Sequence, residues 1–121
     1  MLINDFFTIT ELKNIDGTIN ATIKLNASHK IFDGHFPENP ITPGVVQIQI
    51  IKELLDKVLE RECTLKEIGR CKFLAILNPN EDGEVDITIK HSQEDDVLKI
   101  SAQGSSTDKN TTFFKFSAKY A

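Results

Sequence analysis

The sequence predicts an α+β fold, with about six strands and one long helix in the order strand, strand, helix, then four strands. Three observations lead there. Residues 18–25, Thr-Ile-Asn-Ala-Thr-Ile-Lys-Leu, alternate polar and apolar side chains with the period of two that a half-buried strand requires. Residues 43–60 repeat apolar side chains at helical spacing, with Ile51, Leu54, Leu55, Val58 and Leu59 on one side and Lys52, Glu53, Asp56 and Glu60 on the other. After Arg61 the pattern changes to strands separated by turn-forming clusters.

Taken in order, strands at 6–13 and 17–25 flank Asp16-Gly17, a dipeptide suited to a tight hairpin. Residues 26–42 then form a long loop, which in a compact domain tends to carry function. Pro40 and Pro43 stiffen its end, because proline fixes its own φ and keeps the preceding residue out of helical geometry. Thr42 is expected to cap the helix, with Pro43 at the first helical position, where a missing N–H costs nothing. Beyond the helix, the apolar run 68–77 ends at Asn78-Pro79-Asn80-Glu81-Asp82-Gly83. Strands at 84–91, 97–104 and 111–120 follow, joined by charged or Gly/Ser-rich turns at 92–96 and 104–110. No repeat or low-complexity segment interrupts the chain.

Length and composition bound the function. A chain of 121 residues reads as a single domain spanning 1–121, small enough that pairing with a second copy would help bury surface. A formal charge of −4 argues against a nucleic-acid surface. No window approaches the ~20 apolar residues of a membrane span, and Met1-Leu2-Ile3-Asn4-Asp5 lacks the start of an export signal, so the expected location is cytoplasmic. Cys63 and Cys71 form neither a metal spacing nor a disulfide framework.

The chemistry concentrates in Gly34-His35-Phe36-Pro37-Glu38-Asn39-Pro40-Ile41-Thr42-Pro43-Gly44-Val45-Val46. The run sets a histidine a fixed distance ahead of a helix start. First-turn amides lack internal partners and sit at the positive end of the helix dipole, so those of Gly44 and Val45 can receive a carbonyl oxygen as it gains charge. Gly44 lets a ligand approach the backbone closely. His35 is a base, and Phe36 and Phe73 are apolar surfaces for packing or for lining a site.

The run resembles the central motif of the (3R)-hydroxyacyl-acyl carrier protein dehydratases of fatty acid synthesis, roughly G-H-F-P-x-x-P-x-x-P-G-V, without a gap over residues 34–46. The order of elements agrees too. The resemblance implies the hot-dog fold, an antiparallel sheet wrapped around a long helix, in homodimers or oligomers of dimers with acyl tunnels between subunits. It implies His35 acting at C2 and C3 of the acyl chain, Gly44 binding the thioester carbonyl, Val45, Phe36 and Phe73 at the substrate, an acyl carrier protein or coenzyme A thioester as substrate, and no cofactor or metal. The stretch Gly44-Val45-Val46-Gln47-Ile48-Gln49 is also similar to a divergent subgroup found beside secondary-lipid and aryl-polyene-type biosynthesis.

One departure stands out. The family carries Glu or Asp fourteen positions after the histidine, where this chain has Gln49. A glutamine amide can orient a hydroxyl or a water, but it cannot transfer a proton with a useful pKa. Either His35 makes both proton transfers and Gln49 orients the hydroxyl, or the protein binds acyl groups with little or no turnover. A hot-dog thioesterase is a third reading.

The remaining polar residues have plainer readings. Gln49 falls with Val45, Lys52, Glu53 and Asp56 on the helix, away from the apolar stripe. Gln47 falls within the stripe, and so either anchors the loop or points into the tunnel. Asp33, Glu38 and Glu53 are expected to be solvated, and His29 and His91 structural or solvated. Lys66, Arg70, Lys72 and Lys30 are candidates for a basic patch that meets an acidic carrier.

Overall fold

A computed structural model describes residues 2–32 and 41–121. The first two strands, β1 (Phe7–Ile15) and β2 (Thr18–Leu25), form a hairpin. Its turn residues Asp16 and Gly17 both have positive φ, 51° and 78°, as the right-handed twist of the flanking strands demands. One turn of 3-10 helix at Lys30–Phe32 precedes the long helix α1 (Gly44–Leu59). Then come β3 (Leu65–Phe73), β4 (Glu84–Glu94), β5 (Val97–Ser106) and β6 (Thr112–Tyr120).

The six strands make one antiparallel sheet in the order β1-β2-β4-β5-β6-β3. Alternation decides which face of it is buried. In β2, Ile19, Ala21, Ile23 and Leu25 point inward, and in β4 the inward residues are Val85, Ile87 and Ile89. The helix lays Val46, Ile50, Ile51, Leu54 and Leu55 against them in a shared core. Strand order, antiparallel pairing and a single long helix are the hot-dog arrangement that the resemblance implies. Among the described residues no helix is long and apolar enough to cross a membrane, and no cluster of His, Cys, Asp or Glu is arranged to hold a metal.

Three expectations need correction. The apolar run 68–77 is not one strand: β3 spans Leu65–Phe73, and residues 74–77 leave the sheet. Their backbone bonds go elsewhere, with the Leu74 N–H donating to Phe113 O and Leu77 O accepting from the Thr42 N–H. The stretch is apolar because it packs beside the start of α1. His91 does not end a strand either, since β4 runs on to Glu94 and turns at Asp95, whose φ is 54°. Finally, Thr42 is not the helix cap. Pro43 occupies that position in extended geometry (φ −61°, ψ 148°), without a side-chain cap bond. The Thr42 N–H donates instead to Leu77 O at 2.9 Å, which ties this residue to the segment after β3, and the helix starts at Gly44.

Strand β3 differs from the others. It pairs with β6 along one edge only, and all nine of its residues are exposed. The register with β6 directs Leu65, Ile68, Cys71 and Phe73 to the side that the helix covers elsewhere. Among the described residues no helix covers that edge, and Ile68 is 46% and Phe73 49% exposed. Leu74, Ile76 and Val45, at the tip of α1, are also exposed large apolar residues. At the far end of the core, Tyr120 is buried and its hydroxyl has no partner among the described residues. Burial pushes its pKa up to about 12, with smaller contributions from Cys63 and Asp56. Because Tyr120 is the chain's single tyrosine and there is no tryptophan, a phenolate absorbance titration reads it alone. The titration is expected near 12 rather than at the ordinary ~10. Folded-state pKa lies above the unfolded value, so stability is retained below pH ~10 and falls as pH rises through that window.

Candidate active site

The helix tip provides the donors. The first α1 bonds run from Val46 and Gln47 N–H to Pro43 O, at 3.1 and 3.2 Å. That leaves the amides of Gly44 and Val45 without a partner among the described residues. Gly44 lines a cleft of about 410 Å³ together with Ile41, Thr42, Pro43, Gln47, Phe73 and residues 74–77, and Val45 follows it at the exposed helix tip. The cleft is walled mostly by apolar side chains, as an acyl chain requires.

Gly44 is needed here for a reason the sequence did not disclose. A Cβ at this position would lie 2.6 Å from the Phe73 ring. What approaches the backbone is therefore Phe73, half-exposed over the helix tip. Phe73 is 49% exposed and lines the cleft, outside the buried core. Gln47 anchors the loop: it is 4% exposed and donates from Nε2 to Thr42 O at 3.0 Å. Its Oε1 and the Thr42 hydroxyl are buried without partners among the described residues at this end of the cleft.

Gln49 lies elsewhere. Five residues after Gly44 it stands about 140° round the helix, given ~100° per residue. It lines a separate cleft of about 370 Å³ with Lys52, Glu53, Asp56, Arg61 and Glu62. Within one chain, then, Gly44 and Gln49 do not share a cavity. The face around Gln49 also corrects the expected pattern. Glu53, read as solvated, is 2% exposed, whereas apolar Val45 is 75% exposed. The Glu53 carboxylate accepts from the Leu2 N–H at 2.9 Å, the Ile3 N–H at 2.8 Å and Gln49 Nε2 at 2.9 Å. Beside it Lys52 and Asp56 pair at 2.6 Å, and that hydrogen bond holds the Lys52 pKa up.

His35 and Phe36, together with Asp33 and Glu38, lie outside the described residues. The other histidines are structural. His29 accepts the Ile31 N–H on Nδ1, meets Asp5 through Nε2 at 3.0 Å and packs edge-on against Phe6. His91 meets Asn14 Oδ1 at 3.1 Å.

Of the basic candidates, Arg70 lines a shallow trough of about 700 Å³ on the outer face of the sheet, together with Lys90, Lys115, Thr88, Ser101, Gln103 and Ser117. Lys72 stands directly across from Lys115 in the β3–β6 register. None of these four cations has an ion pair among the described residues. Sequence reasoning missed Lys90 and Lys115, because their approach to Arg70 depends on the strand order. Lys30, in the 3-10 turn, and Lys66, beside a register shift, do not line the trough.

Comparison with known proteins adds the following. The ApeI-like family, described as ApeI dehydratase, matches residues 11–114. The 3-hydroxyacyl-acyl-carrier-protein dehydratase FabZ of Rickettsia typhi is 28% identical over 111 residues, covering 85% of this chain and 73% of that protein. Its counterpart in Rickettsia conorii is 27% identical over 126 aligned positions, covering 98% of this chain and 83% of the relative. Among solved structures, the dehydratase heterocomplex ApeI:P from Xenorhabdus doucetiae aligns with a TM-score of 0.74 and 21% identity, over 94% of this chain and 96% of that one. The (R)-hydratase from A. caviae, involved in PHA biosynthesis, aligns at 0.65 with 11% identity, over 89% and 96%. At these identities the structural likenesses show the hot-dog fold.

Proposed function

The chain belongs to the ApeI-like dehydratase family, and from that premise we propose that it dehydrates 3-hydroxyacyl thioesters to trans-2-enoyl thioesters without a cofactor. The observation that carries this reading is the first turn of α1, where the Gly44 and Val45 amides have no partner among the described residues and Gly44 lines an apolar cleft. The thioester carbonyl accepts from those amides, which stabilises the enolate that forms when His35 takes the C2 proton. The C2 electron pair then becomes the C2–C3 double bond as the C3–O bond breaks. The hydroxyl leaves as water, taking its proton from the His35 imidazolium. Gln49 orients the hydroxyl and transfers no proton.

Since Gly44 and Gln49 open on different clefts of one chain, a substrate that meets both requires two chains. The exposed edge and apolar face of β3 supply the surface for such a pairing. We assign the carrier surface to the outer-face trough. Lys72 opposite Lys115 is a like-charge pair without an ion-pair partner among the described residues, and an acidic carrier protein would relieve that repulsion. Reversing charge with Arg70→Glu and Lys115→Glu is expected to raise KM for a carrier-bound substrate about tenfold at low salt, with a coenzyme A thioester little affected. Equal effects on both substrates would argue against this surface.

A second reading, an acyl-binding subunit without turnover, is favoured by one observation: position 49 has no titratable group. The test follows enoyl thioester absorbance from 3-hydroxyacyl thioesters of several chain lengths, alongside release of free thiol. Enoyl formation supports the dehydratase. Tight binding without product supports the second reading, and thiol release a thioesterase.

A further inference from the structure

Glu53 is the only fully buried charged side chain among the described residues, and no step above uses it. A carboxylate out of water is costly unless its lone pairs are satisfied. Here both oxygens are engaged. Oε1 accepts from the Leu2 and Ile3 amides, and Oε2 from the Leu2 amide and from Gln49 Nε2.

This arrangement has a chemical consequence for Gln49. A glutamine amide is ambiguous, with a donor at one end and an acceptor at the other. A carboxylate oxygen only accepts, so the NH₂ end of Gln49 must face Glu53 and its Oε1 must face away. We propose that Glu53 is a positioning residue. Held by the N-terminal segment, it fixes the Gln49 amide so that position 49 presents a hydrogen-bond acceptor to the substrate. The proposal rests on the dehydratase reading for what Gln49 meets, namely the 3-hydroxyl. With its hydrogen given to Gln49 Oε1, that hydroxyl turns a lone pair toward the protonated imidazole that must deliver the leaving proton.

The pairing also explains how position 49 works without an acid. The negative charge stands one helical turn along, at position 53, where it organises the site instead of exchanging protons.

The experiment has two readouts on the full-length protein. The Gln49 side-chain amide, assigned by proton–nitrogen NMR, reports the hydrogen bond directly. Glu53→Gln is expected to move the bonded amide proton upfield and to lower kcat roughly 10- to 100-fold through misorientation, with KM changed less than about twofold. The exchanged pair, Gln49→Glu with Glu53→Gln, keeps an acceptor at 49 and a donor at 53. Its kcat is expected to return to within about threefold of the natural protein, which a purely structural loss would not allow. An unmoved amide signal in Glu53→Gln overturns the proposal, as does a moved signal with kcat unchanged. If the natural protein turns over no 3-hydroxyacyl thioester, the dehydratase reading fails separately, and the NMR readout still decides whether Glu53 orients Gln49.

Discussion

Ile68→Glu is expected to convert the protein to a monomer in sedimentation and to lower kcat/KM by about 100-fold or more, with its fold retained by circular dichroism. The cause lies in strand β3. Its backbone is paired with β6 on one side and open on the other, and its inner face is apolar but uncovered. Such an edge is a template for another strand, and an isolated monomer would leave Ile68, Phe73, Leu74 and Ile76 in water. A carboxylate at 68 would be buried unpaired in the proposed seam, at a cost of about 3–5 kcal/mol. In the monomer the same side chain is solvated, so the fold is spared. On the proposed two-chain site, activity falls because the cleft at Gly44 loses the Gln49 of the other copy. A variant that stays dimeric, or a monomer with full turnover, would show that the site is complete within one chain.

The second large effect is expected for Gln49→Glu alone. The new carboxylate would stand about where Gln49 Nε2 now donates, 2.9 Å from Glu53 Oε2. Two carboxylates at that distance cannot both ionise, so one holds a proton and the pair's apparent pKa rises. The variant should lose roughly 1–3 kcal/mol of stability at neutral pH, measured by denaturant midpoint. The sign of its pH dependence follows from proton counting. The folded pair binds more protons than the unfolded chain, so stability is regained as pH falls from about 8 to 5. The natural protein, with an amide at 49, should not show that rise. A Gln49→Glu protein as stable as the natural one at pH 7 would mean that Gln49 and Glu53 are not in contact.

Much of the fold was legible because it rests on local periodicity. The alternation of residues 18–25 and the stripe of Ile51, Leu54 and Leu55 are set by which face meets the core, and both appear as read. So does Asp16-Gly17, where local backbone preference and sheet twist agree. Gln47 was legible in a weaker sense: a polar residue in an apolar stripe had to find a partner, and it found Thr42 O.

What escaped the sequence depends on contacts between distant segments. Glu53 was grouped with Lys52 and Asp56 as solvated because charge pattern alone cannot reveal that residues 2 and 3, about fifty positions away, fold over it. Val45 is apolar yet exposed, since it stands at the helix tip beside an uncovered edge. The run 68–77 was read as one strand because apolarity does not distinguish a sheet from the wall of a cleft. The cationic trough needed the register of four strands to assemble it. The motif around His35 carried its meaning through resemblance, and His35 itself lies outside the described residues.

The most direct measurement is the rate of enoyl thioester formation from a 3-hydroxyacyl thioester by the natural protein and by His35→Ala. The account predicts turnover by the natural protein and a fall in kcat of roughly 10²- to 10⁴-fold on removing the imidazole, with substrate binding largely kept through the Gly44 amide. Turnover that survives the loss of His35 would contradict it.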